Sequence, residues 1–140
     1  MSIIMADGST KPVQDIRVGD LVTSWDDKSK TVTTGKVIAF QSKLAPEYYI
    51  LNDKIEATPT HPFMVNGKWT AVAAIEPGDV IRSVDGKNIK ITSKKHIKKE
   101  VAIFNFTVEK FHNYYVEGLL SHNFGFINIG FFARNFVKSP

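Results

Sequence analysis

Apolar and polar residues alternate along the chain in short runs, and turn residues part almost every run from the next. A two-residue period marks half-buried strands, because successive side chains on a strand point to opposite faces of its sheet. Runs over residues 2–5, 21–25, 31–41, 48–51, 54–57, 63–65, 68–71, 80–84, 88–92 and 101–108 predict strands. The segment FHNYYVEGLLSHN, residues 111–123, predicts a closing hairpin around Glu117-Gly118. Asp7-Gly8, Asn52-Asp53, Asn66-Gly67 and Asp85-Gly86 sit where tight hairpins need positive φ, which Gly, Asn and Asp tolerate. Helical periodicity is nearly absent; 13–16 and 72–75 have room for one turn each. The pattern predicts an all-β domain.

The same pattern occurs twice. MADGSTKPVQDIRVGDLVTSWD, residues 5–26, overlies MVNGKWTAVAAIEPGDVIRSVD, residues 64–85, at an offset of 59. Met, Gly, Val, Ile, Gly-Asp, Ser and Asp recur in place. Two copies are too few for a solenoid. They predict one domain of two similar halves related by a pseudo-two-fold, with a cleft at the seam where a site would form.

Composition narrows the chemistry. A 140-residue chain that is 43% hydrophobic is long enough to bury a core without staples. With no cysteine, disulfides, a thiolate nucleophile and a cysteine zinc site are excluded. No apolar run approaches the length that crosses a bilayer, and the start lacks a signal-peptide pattern, so we expect a cytoplasmic protein with no membrane partner. The net charge of +4 gathers in Lys87, Lys90, Lys94, Lys95, Lys98 and Lys99, beside His96. Lysines so placed can neutralise phosphates, but no aromatics interleave them and no nucleic-acid motif is present. A solvated charged loop and strand edge is the expected structure there, with no nucleic-acid partner.

Two constellations carry candidate chemistry. An asparagine side chain can attack its own backbone carbonyl, closing a succinimide and cutting the chain; the step needs a held geometry and a proton donor or acceptor. Asn123 has His122 beside it and His112 at the start of the same hairpin, two imidazoles able to supply such donors and acceptors. Taken alone, a His-Asn pair on a strand is more often ordinary surface or core polarity. The second constellation is Thr58-Pro59-Thr60-His61-Pro62, where prolines restrict the backbone around a hydroxyl and an imidazole. Spacing leaves open whether these loosen an amide by hydrogen bonding or merely satisfy a turn. A zinc site of His61, His96, His112 and His122 lacks metal-ligand spacing, so no metal and no cofactor are expected. No Gly-x-Ser-x-Gly elbow supports a serine hydrolase.

Together these blocks resemble the Hint domain, the autoprocessing fold of inteins, bacterial intein-like domains and hedgehog C-terminal domains. The carriers are MADGSTKPVQDIRVGDLV, ATPTHPFMV, WTAVAAIEPGDVI and IFNFTVEKFHNYYVEGLLSHN, in the family's order across residues 2–123. The resemblance implies an all-β horseshoe with pseudo-two-fold symmetry that rearranges peptide bonds in cis between flanking extein sequences. It implies that Thr58 and His61 activate the N-terminal junction for an acyl shift. It implies further that Asn123 cyclises, His122 assists at the Asn123 carbonyl and His112 orients the Asn side chain. Asn105 stands where many inteins carry an assisting Asp; an amide cannot act as a base.

The chain departs from the family pattern at both junctions. The family's nucleophile, Cys or less often Ser, precedes the first strand, and Ser2 falls by register inside that strand. The nucleophile is then expected on a segment outside this sequence, such as a short N-terminal intein fragment of an atypically split pair, or as removed by truncation; a second option makes Ser2 the nucleophile in a shifted register. At the other junction Phe124 offers no nucleophile for transesterification, so Asn123 cyclisation with C-terminal cleavage is the activity expected of this chain. Residues 1–123 would form the processing domain and 124–140 an extein-like flank. The rival expectation is an inactive β-rich scaffold or binding module that keeps the fold.

Overall fold

The computed structural model describes residues 1–122, together with the backbone of residues 132–133. The chain builds β1 (Ser2–Ile4), β2 (Thr10–Pro12), β3 (Leu21–Asp26), β4 (Thr31–Ala45) and β5 (Tyr48–Leu51). Next come β6 (Ile55–Ala57), β7 (Pro62–Val65), β8 (Lys68–Ala71), β9 (Val80–Arg82) and β10 (Asn88–Lys90). The last strands are β11 (Lys94–Ile97), β12 (Val101–Val108), β13 (Asn113–Val116), β14 (Leu119–His122) and β15 (Phe132–Ala133). Single 3₁₀ turns at Val13–Asp15 and Val72–Ala74 are the two predicted helical turns. The largest sheet runs β10-β9-β7-β14-β13-β1-β2 with β8 also on β7; the others run β11-β5-β6 and β15-β12-β4-β3.

The repeat is visible as a pseudo-two-fold through the β13–β14 hairpin. β1 lies on one flank, pairing Ile3 with Val116, and β7 on the other, pairing Phe63 with Ser121. Equivalent side chains from both halves enter one core: Ile3 and Phe63, Val13 and Val72, Ile16 and Ile75, Val22 and Ile81 are all fully buried. Each such burial contributes about 1.5–3 kcal/mol. The Gly-Asp turns match bond for bond. Arg17 N–H donates to the Asp20 carboxylate at 2.8 Å and Glu76 N–H to that of Asp79 at 2.9 Å. Gly19 and Gly78 stand at φ 99° and 102°, where a side chain would be strained.

The offset of 59 holds from Val13 onward but not before. Met5 bridges Val22 and Val65 bridges Ile81, so β1 and β7 correspond at 60. The turns explain the slip. Asn66-Gly67 is a two-residue turn with both φ positive, at 49° and 83°. At Asp7-Gly8 only Gly8 is positive, and Met5 N–H donates to the Ser9 carbonyl across three residues. The expectation of a two-residue turn there is corrected: the Asp7 carboxylate accepts from Ser9, closing a longer loop.

The lysine stretch holds an edge strand, β11, paired to β5. Lys94 is drawn inward, donating to the carbonyls of Ala73 at 3.0 Å and Ile75 at 2.7 Å. Lys95 pairs with Asp53 at 3.0 Å. Among the described residues no helix is long and apolar enough to cross a membrane.

Candidate functional site

The Glu117-Gly118 turn has both φ positive, at 50° and 78°, and this fixes the β13–β14 register. Tyr114 stands opposite Ser121 and Asn113 opposite His122. Strand alternation then sends Ser121 and His122 to opposite faces of β14.

On the Ser121 side lies the Thr-x-x-His corner. Thr58 carbonyl accepts the His61 N–H at 3.1 Å, and the 3₁₀ turn clamps the corner: Val72 N–H donates to the His61 carbonyl and Ala73 N–H to that of Pro59, both at 2.9 Å. His61 is fully buried and Thr58 nearly so. The His61 Nε2 is hydrogen-bonded to the Ser121 hydroxyl, sixty residues away in the chain. Phe63 meets the imidazole edge-on at 4.9 Å. Burial pushes the Tyr114 phenol up, and its hydrogen bond with Ser121 pulls the other way, more weakly. Thr58 also lines a cavity of about 330 Å³ with Pro46, Thr60 and Ile103. Asn105 shares the Ile103 face of β12 by the two-residue period; it is buried, and its Oδ1 has no hydrogen-bond partner among the described residues.

On the other face His122 packs edge-on to Trp69 at 4.6 Å and lines a cavity of about 610 Å³ with Trp25, Met64 and Phe111. Burial first, and the charge of His112 second, bring its imidazole down to about 4. At neutral pH it is an uncharged ring with one N–H to give and one lone pair. His112 is exposed and held at φ 56° as the chain turns from β12 into β13, its N–H on the Val108 carbonyl at 3.1 Å. The Asn113 amide braces this end: it accepts from Trp25 N–H at 2.7 Å and donates to the carbonyls of Trp25 at 2.9 Å and Phe111 at 3.2 Å.

Of the residues picked out from sequence, His61 is thus set against the strand that ends in His122. Thr58 is joined to His61 through the backbone, and His112 stands near enough for its charge to act on His122. Ser2 is elsewhere. Its N–H and hydroxyl donate to the Glu117 carboxylate at 2.7 and 3.1 Å, at the turn end of the hairpin. Three residue steps of strand, about 10 Å, separate that turn from His122. Asn123 and Phe124 lie outside the described residues. Sequence reasoning passed over Ser121, Tyr114, Asn113 and Trp69; the signal for Ser121 was its place opposite Tyr114 in the hairpin, one residue out of phase with His122. Among the described residues no group of three or more His, Asp or Glu is placed to hold a metal ion.

Solved structures share this architecture. The bacterial intein-like domain from Clostridium thermocellum superposes with a TM-score of 0.73 at 21% identity, covering 95% of this chain and 94% of that one. The DnaB intein from Synechocystis sp. superposes with a TM-score of 0.74 at 17% identity, covering 86% and 92%. These likenesses show a Hint fold. No curated protein matches the sequence. The family model described as the pretoxin HINT domain matches residues 3–128. The chain therefore belongs to the pretoxin HINT domain family.

Proposed function

We propose that this domain processes itself, cutting its own chain after Asn123 and releasing residues 124–140. The observation that carries the reading is the hydrogen bond between His61 and Ser121. It ties the Thr-x-x-His corner to the strand whose next residues are His122 and Asn123, as a fold that works on both of its junctions would require. In the cleavage step the Asn123 Nδ2 attacks the backbone carbonyl carbon of Asn123. The new carbon–nitrogen bond closes a succinimide, and the bond to the Phe124 nitrogen breaks. The proton lost by Nδ2 is matched by the one the leaving amine takes up. His122, uncharged at pH 7, gives its N–H to the carbonyl oxygen as negative charge grows there. His112 orients the attacking amide. Phe124 supplies no nucleophile, so the outcome is release and not ligation.

Thr58 and His61, assisted by Asn105, serve the N-terminal junction in this reading. Their partner is an upstream nucleophile, carried by a flanking segment in cis or by a short N-terminal fragment; Ser2, tied to Glu117, is the weaker candidate. Residues 1–123 are the processing unit and the partners are its own flanks. The chemistry draws on no metal, cofactor or nucleic acid, and it suits a cytoplasmic, cysteine-free chain. The family's description, pretoxin, fits a domain that sets free the segment C-terminal to it.

Incubation of the full chain at neutral pH, tracked by intact mass, tests the proposal. Loss of the 124–140 peptide in the native sequence, abolished in Asn123→Ala, supports it. Equal behaviour of the two proteins overturns it in favour of an inactive scaffold of the same fold.

A further inference from the structure

On one edge β12 pairs with β4, where Ile103 stands opposite Lys43 and Phe104 opposite Ser42. On its other edge it pairs with β15, antiparallel, with Ile103 opposite Ala133 and Phe104 opposite Phe132. β15 belongs to the C-terminal flank, so the flank supplies the outermost strand of a sheet in the domain it is proposed to leave. Successive residues of a strand turn their N–H and C=O groups to opposite edges, and a row of such groups is a template for another strand. Ile103 is fully buried, and buried main-chain groups need partners. The place lies close to the Thr-x-x-His corner. Ile103 lines the Thr58 cavity, and β15 also lies against β6, whose last residue Ala57 precedes Thr58.

We propose that the outer edge of β12 at Ile103–Phe104 is the docking edge for the C-terminal flank, which adds to it as a strand through Phe132 and Ala133. Residues 123–131 join this strand to β14, and the proposed cut falls among them. Two residue pairs are a weak hold between separate molecules. Within one chain the short connection presents the flank to β12 at an effective concentration of about millimolar, and the pairing persists. The flank is thus a clamp that steadies both sides of the bond after Asn123 while it is whole, and loosens once it is cut. That consequence rests on the self-processing reading; the docking edge does not.

NMR on the full-length Asn123→Ala chain reads the docking without any cleavage. Expected are cross-strand backbone contacts joining 103–104 to 132–133, unchanged on dilution. Phe132→Pro with Ala133→Pro should abolish them, because proline has no N–H to give the ladder, and Phe132→Val with Ala133→Val should keep them. Contacts between Ile3 and Val116 report in every variant that the domain is folded. Absence of the 103–104 to 132–133 contacts overturns the proposal, as does their survival in the proline pair. Contacts that fade on dilution overturn it in favour of a second copy's flank. With Asn123 restored, the proline pair should also release residues 124–140 about 10-fold more slowly, through loss of the held geometry; an equal rate overturns the clamp. A chain that never cleaves but shows the docking contacts leaves the edge assigned and removes only the self-processing reading.

Discussion

His122 shows how a single residue's surroundings set its chemistry. Its ordinary value is 6.5, and burial with the neighbouring His112 charge brings it to about 4. Between those values the unfolded chain binds a proton that the folded chain refuses, so folding is favoured less as the solution becomes more acid. The stabilising difference is complete above about pH 6.5 and drains away as pH falls towards 4. Urea midpoints measured from pH 7 to pH 4.5 should therefore fall more steeply for the native protein than for His122→Gln; parallel curves would contradict the assignment. In the cleavage assay the same His122→Gln variant should release the C-terminal peptide about 100-fold more slowly, the usual scale for losing a placed proton donor. Asn113 is a structural case. Truncation to Ala leaves the Trp25 N–H and two carbonyls without their partner, at a cost of about 1–3 kcal/mol, readable as a lowered urea midpoint.

At the scale of elements, strands and turns were legible where the code is local. Asn66-Gly67 announces a two-residue hairpin because Asn and Gly both tolerate positive φ, whereas at Glu117-Gly118 only the glycine carries that signal and Glu117 is held at φ 50°. Asp7-Gly8 looks the same in sequence but closes a longer loop, because the Asp7 carboxylate captures Ser9 and only Gly8 is left-handed. β11 was hidden by its lysines: edge strands tolerate charge, and its pairing with β5 is set by a partner more than forty residues away. Close packing was not legible either. At Gly35, in the first half of β4, a Cβ would run into the Val108 Cγ1 and the Ser24 hydroxyl. Gly35→Ala should cost about 1–3 kcal/mol through overpacking, seen as a lower urea midpoint with an unchanged slope. A variant as stable as the native chain would mean that β3 and β12 give way more easily than their burial implies.

On the scale of the whole molecule, the repeat in sequence was the best guide to architecture, since it foretold the pseudo-two-fold that wraps two similar halves about the β13–β14 hairpin. What it could not foretell was the division of labour within that hairpin. Ser121 and His122 are neighbours in the chain, yet one meets the Thr-x-x-His corner and the other faces the Trp69 cavity. Only a known register turns adjacent letters into opposite faces. In the proposed function this seam drives Asn123 to close on itself. The mass of the 1–123 product, collected early in the incubation, decides it most directly. A product one water lighter than the hydrolysed chain carries the succinimide the account predicts. A product with an ordinary carboxylate from the first time point, or a cut at any other bond, contradicts it.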